Sequence, residues 1–209
     1  MSGPLPPRNL NVPGSGPFVK DPDHYDFPPG SSLPRHFTYW RFPQTQNYAV
    51  SPRGHPNTLR LLPSTANLTE FATFDPLAGK TFIGRRQTDT LFTYTIDMSF
   101  HPQHEGEEAG ATIYLRQERH AELGIVRLNG TNQLRFRAEG PDAPDAVVKA
   151  IPDSWCEGIT FAIKAFNFTH YALSAGIIYG PLEQVALVNN SLLSLEFTGK
   201  NFAQDSCTY

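Results

Sequence analysis

The sequence predicts an all-β protein, a two-sheet antiparallel β-sandwich of jelly-roll type, on three observations. Short runs of alternating apolar and polar residues recur along the chain, separated by turn residues. The composition is rich in strand formers, with 17 Thr and 15 Phe, and only 18% of residues are charged. No segment of about twelve or more residues carries a convincing helical period. A length of 209 residues suits one large sandwich able to bury a core of its own.

The elements follow in order. Residues 1–35 hold nine of the 19 prolines and show no period of either kind. Proline removes backbone donors and fixes φ, so this stretch reads as an extended, Pro/Gly-rich connector. Phe18, Tyr25 and Phe27 give it apolar handles, which suit a strap across a neighbouring domain as well as a free tail suits the prolines. Residues 36–209 form the β-sandwich. Its first runs are 36–41 (HFTYWR) and 58–62 (TLRLL). Residues 91–100 (LFTYTIDMSF) are the clearest strand, with Phe92, Tyr94, Ile96 and Met98 on one face and Thr93, Thr95 and Asp97 on the other. Runs at 112–116, 122–127 and 133–137 follow, the last two joined through Asn129-Gly130, a common hairpin-turn pair. Residues 159–166 and 170–175 flank Asn167-Phe168, and 192–197 closes the series. Residues 146–151 fit a strand or a turn of helix.

Charge narrows the partners. Lys and Arg total 17 against 20 acids, a formal charge of −3, which excludes nucleic acid held by bulk charge. No run approaches 18 apolar residues, so no membrane-spanning helix is predicted. Four N-glycosylation sequons occur, at Asn67, Asn129, Asn167 and Asn189. The composition gives about 1.5 by chance, so four is a mild excess that favours an extracellular ancestry. The start of the chain lacks the apolar stretch of a secretory signal, which points the other way. Cys156 and Cys207 are read equally well as a disulfide and as two thiols.

Catalytic machinery is scarce. The chain has no Gly-rich phosphate loop, no G-x-S-x-G and no H-E-x-x-H. His101 and His104, followed by Glu105, Glu107 and Glu108, are the one metal-like cluster, but they leave a strand where a solvated polar loop is expected. A glycosidase needs two carboxylates held across a sugar, and no segment frames such a pair. Aromatics are denser: Tyr39, Trp40, Phe42, Tyr48, Phe92 and Tyr94 fill a core and leave one or two rings as platforms for sugars.

Several segments together resemble a known family. Gly84-Arg85-Arg86-Gln87, the strand after it, Pro102 and Glu107-Glu108-Ala109-Gly110 look like the pattern GRRQ … F-x-P … EEAG. That pattern belongs to the C-terminal concanavalin A-like β-sandwich of glycoside hydrolase family 43 β-xylosidases, also described as a xylan-binding module. Leu59-Arg60-Leu61 and Glu196-Phe197-Thr198-Gly199 fit the same domain, and the Pro/Gly-rich head resembles the connector of fungal members. The likeness spans most of residues 15–200. The five-bladed propeller that carries the family's catalytic acids has no counterpart here. Past F-T-G the chain departs from the family's last strands, which implies that one or two closing strands are missing.

The resemblance implies a non-catalytic accessory domain that positions xylan or xylo-oligosaccharide beside a family 43 propeller and shapes the mouth of its pocket. Phe197 matches the ring such sandwiches push into that mouth; read without the family, it is a core phenylalanine. Arg85, Arg86 and Gln87 are candidates to hold sugar hydroxyls or the partner domain, or else to pair structurally with Glu107 or Glu108. No catalytic residue and no metal ligand is implied; a structural calcium is compatible with the family, without identified ligands. The alternatives are a free-standing lectin-like glycan binder and a metal-dependent enzyme using the His101/His104 loop.

Overall fold

The computed structural model describes residues 24–66, 68, 80–155 and 157–194. The chain divides into two compact units, Met1–Asp89 and Thr90–Tyr209. No α-helix occurs among the described residues, and no helix is long and apolar enough to cross a membrane.

Unit 1 is built from short strands. β1 (Phe37–Tyr39), β2 (Tyr48–Val50), β3 (Leu59–Leu61) and β4 (Ile83–Arg85) form two antiparallel pairs, β1 with β4 and β2 with β3. The two aromatic handles described in the connector are used here. Tyr25 lies edge-on to Phe37 at 5.4 Å between centroids, and its hydroxyl meets His36 Nε2 at 2.8 Å. Phe27 lies 6.5 Å from Phe37.

Unit 2 is the sandwich. β5 (Phe92–Met98), β10 (Ile159–Ala165), β11 (His170–Ile177) and β12 (Leu182–Asn189) make one antiparallel sheet, in the order β12-β11-β10-β5. β6 (Glu108–Arg116), β7 (Arg119–Leu128), β8 (Thr131–Glu139) and β9 (Val147–Ala150) make the other, in chain order. Alternation decides what lies between the sheets. Leu123, Ile125, Leu134 and Phe136 face inward from one sheet, and Ile159, Phe161, Ile163, Leu173, Ala175 and Val188 from the other. Each of the larger side chains contributes about 1.5–3 kcal/mol by leaving water. β5 carries the two faces expected of it: Phe92, Tyr94, Ile96 and Met98 are half-buried and the intervening residues exposed. Its Asp97 accepts from Thr160 Oγ1 at 2.5 Å, a cross-strand pair on the outer face.

One element resolves an open reading of the sequence, and two depart from it. The segment 146–151, read two ways, contains the strand β9. The strand expected over 192–197 is not formed where it is described: Asn190–Leu193 is a 3-10 turn capped by Asn189 Oδ1, which accepts from Ser191 N at 2.9 Å. The rest of that run lies outside the described residues. Among the described residues the last strand is β12, which pairs with β11 through a register shift at Leu173/Ser174.

Candidate functional site

The residues that carried the family resemblance fall in both units, and each set is held by its own local structure. In unit 1, Gly84 and Arg85 end β4, opposite Thr38 and Phe37. A Cβ at Gly84 would stand 2.9 Å from the outer edge of the Phe82 ring. Arg85 is half-buried, while Arg86 and Gln87 lie exposed just past the strand. Gln87 Nε2 donates to the Asp89 carbonyl at 2.8 Å. The strand is anchored from behind by Tyr48, whose hydroxyl accepts from Phe82 N at 2.9 Å and donates to Phe82 O at 3.1 Å. Burial raises the Tyr48 pKa, offset in part by the bond to Phe82. Thr81 and Asn47 add a bond of 3.0 Å, and Thr81 Oγ1 donates to Leu62 O at 2.6 Å.

In unit 2, the four residues Glu107-Glu108-Ala109-Gly110 straddle a boundary. The sequence reading leaves them in a polar loop, but Glu108 opens β6. Its side chain stands on the outer face of the sheet and meets two guanidinium groups from β8. Arg135 Nη2 donates to one carboxylate oxygen and Arg137 Nη2 to the other, the latter at 2.8 Å. Arg137 Nε also donates to Glu122 of β7 at 2.6 Å. All four side chains are mostly buried, between 16% and 23% exposed, which makes this a partly desolvated network rather than loose surface pairs. Burial, then the neighbouring Arg137, pulls Arg135 down to about 10, still protonated at neutral pH. Between these charges the strands close on glycine. A Cβ at Gly110 would fall 2.2 Å from Leu123 O and 2.4 Å from Gly124 Cα.

The His101/His104 loop does not make a metal centre. His104 Nδ1 contacts Glu107 Oε1 at 2.8 Å, and Glu107 Oε2 accepts from Gln103 N at 2.6 Å and His104 N at 3.1 Å. The His104 side chain, then these backbone donors, lower Glu107 to about 2. His101 has a separate contact, Nε2 to Ser99 Oγ at 3.4 Å. Glu105 accepts from Asn129 N at 2.5 Å and Gly130 N at 3.1 Å, tying the loop to the β7–β8 turn. Among the described residues no group of three or more His, Cys, Asp or Glu is placed to hold a metal ion.

Three sequons are described, two in turns and the third at the end of β12. Asn129 opens the β7–β8 turn at φ 52°, and Gly130 continues it at φ 75°, the mirror-image turn that this pair favours. Asn167 Oδ1 accepts from Thr169 N at 2.9 Å and His170 N at 2.7 Å. Asn189 caps the 3-10 turn next to it, and Asn190 Nδ2 donates to Phe168 O at 2.7 Å, so the second and third sequons share one end of the sandwich. Asn67, Phe197, Cys156 and Cys207 lie outside the described residues.

The charged quartet Glu108, Glu122, Arg135 and Arg137 is what the sequence reading missed. Half of it was readable. A two-residue turn at Asn129-Gly130 pairs Glu122 with Arg137 by register alone, as found. Glu108 joins from β6, whose register shifts near Tyr114/Arg116, and no local signal gives that pairing.

The comparisons with known proteins agree with this fold. The family profile described as the β-xylosidase C-terminal concanavalin A-like domain matches residues 24–202. Among solved structures, the Bacteroides ovatus protein titled Xyloglucan PUL GH43B aligns over 90% of this chain and 35% of its own, with TM-score 0.73 and 24% identity. The xylan β-1,4-xylosidase from Bacillus halodurans C-125 aligns over 88% and 34%, with TM-score 0.70 and 17% identity. The family 43 protein BlXynB from Bacillus licheniformis aligns over 81% and 31%, with TM-score 0.67 and 14% identity. At these identities the likeness is one of fold, and the chain spans about a third of the length of each of these proteins. No curated protein matches.

Proposed function

The chain belongs to the family of β-xylosidase C-terminal concanavalin A-like domains, and from that membership we propose that it is the non-catalytic accessory domain of a family 43 glycoside hydrolase. It positions xylan or xylo-oligosaccharide beside a catalytic propeller and shapes the mouth of the pocket. The observation that carries this reading is the continuous family match over residues 24–202, in a fold that makes up only about a third of similar enzymes.

The residues support a scaffold role for most of the motif. Glu107 and Glu108 hold a loop and two arginines, and Gly110 lets two strands meet. Arg86 and Gln87 stand exposed beyond β4, where a planar guanidinium and a carboxamide reach sugar hydroxyls or a partner surface. Phe197 supplies the apolar ring at the pocket mouth, excluding water and stacking on the terminal sugar. Asn129 in an exposed turn, Asn167 half-buried in a bend, Asn189 exposed at the end of β12, and Asn67 are acceptors for N-linked glycans when the chain passes through a secretory pathway.

One experiment tests the reading. The purified chain is assayed on p-nitrophenyl xyloside and xylobiose, then titrated with soluble xylan by calorimetry. The expected result is no xylose released and saturable binding. Xylose release by the chain alone overturns the accessory role, and flat titrations against xylan and xylo-oligosaccharides overturn the positioning role.

A further inference from the structure

The turn between β11 and β12 holds a residue at odds with its backbone. Gly180 N donates to Ile177 O at 2.9 Å, closing a four-residue turn. Its third position is Tyr179, at φ 61°, while Ile178 before it keeps an ordinary negative φ. That is a type II turn, whose third position needs positive φ and is taken by glycine or asparagine. A bulky aromatic there is an outlier, and such outliers concentrate where a side chain is used.

The rest of the turn is built tightly around it. A Cβ at Gly176 would fall 2.1 Å from Pro181 O, and one at Gly180 would fall 2.2 Å from Ile177 Cγ2. Glycine therefore stands where the neighbours demand space and is absent where the dihedral demands it. The result is a ring 99% exposed at the tip of the hairpin.

We propose that Tyr179 is a glycan-stacking platform, taking one sugar ring of a β-linked polysaccharide chain. The choice of sugar rests on the accessory-domain reading above. The choice of a glycan over a protein surface rests on size and surroundings. A stable protein interface needs on the order of 1,000 Å² with an apolar centre. The turn offers one flat ring with Leu182, 41% exposed, and the exposed polar side chains Glu183 and Gln184 on the strand that follows. One ring meets the CH face of one pyranose, and a polar side chain from the adjoining strand suits its hydroxyls.

The test uses the full chain and three variants, Tyr179→Phe, Tyr179→Ala and Tyr179→Gly, titrated with soluble xylan and with xyloglucan. Tyr179→Gly relieves the backbone and is expected to melt higher than the parent, so folding failure does not confound the result. Xylan affinity is expected to fall about tenfold in the Ala and Gly variants and to stay within about twofold in Phe, where the ring remains. Unchanged affinity in Tyr179→Gly overturns this inference alone and leaves the accessory role standing. A parent chain that binds neither polysaccharide overturns both. A Gly variant that keeps xylan affinity but loses association with a family 43 propeller marks the turn as a domain contact and also overturns the platform.

Discussion

At the scale of single residues, the outer face of the β6–β9 sheet separates what the motif looks like from what it does. Gly110 reads as part of a family signature, and its function is spatial, because Leu123 O and Gly124 Cα occupy the volume a side chain would need. Gly110→Ala is expected to destabilise the fold by about 2 kcal/mol, by overpacking of backbone against backbone; an unchanged urea midpoint would show that the strands separate without penalty. On the same face His120 is fully buried, its ring tilted against Tyr114 at 5.7 Å between centroids and its backbone paired in register with Glu139. Burial lowers its pKa from the ordinary 6.5, against an opposing pull from Glu139 and with a small push from Arg137. The folded chain then binds fewer protons here than the unfolded chain at pH values below 6.5, so stability falls as pH drops through that value and levels off below the folded pKa. Melting temperatures taken between roughly pH 7.5 and pH 5 should decline in the parent and decline less in His120→Gln.

At the scale of elements, the hairpin β7–β8 and the loop before β6 act as a unit. Glu105 holds the hairpin turn, Glu107 closes its own loop, and Glu108 bridges to the third strand of the sheet. Glu108→Gln takes a carboxylate partner from both Arg135 and Arg137, two mostly buried guanidinium groups of which Arg137 also meets Glu122, and is expected to cost about 1–2 kcal/mol, between the values for exposed and buried pairs. A double-mutant cycle with Arg135→Met measures the coupling; additive losses would make the network decorative. The Glu107 contacts are fully solvated and report locally instead. With its pKa lowered to about 2 against 4.5 unperturbed, Glu107 keeps its hold on the Gln103 and His104 amides above pH 4.5 and releases them as pH falls through about 2. Those amide shifts should titrate with one carboxyl, and Glu107→Gln should abolish the titration. These elements also mark what could be read in advance. Alternation is local, so β5, β7, β8 and β10 were legible, and the Asn129-Gly130 turn fixed a register. The end of the sandwich was not. Asn189 and Asn190 bend residues 190–193 into a turn through bonds to Ser191 N and the Thr169 carbonyl, and β12 hides its period behind a bulge in its pairing with β11.

At the scale of the whole molecule, the accessory role proposed above assigns contact with substrate to projecting side chains. Core residues fill the space between the two sheets, and the ion network occupies the outer face of the β6–β9 sheet. Phe197 lies just past the 3-10 turn Asn190–Leu193, within the span matched by the family. Two roles for it make opposite predictions. A core phenylalanine replaced by alanine costs about 3–5 kcal/mol of stability wherever it is measured. A ring that only meets the terminal sugar costs the fold little, and its loss removes a stacking contact of about 0.5–1.5 kcal/mol from binding. With the chain joined to a family 43 propeller, Phe197→Ala should therefore raise KM for xylobiose by about 2- to 13-fold, the same energy expressed as a ratio, and leave the melting temperature of the sandwich in place. A fall in melting temperature with KM unchanged would return Phe197 to the core, and the pocket mouth would then have to be shaped by another residue of this domain, Arg86 and Gln87 being the exposed pair at hand.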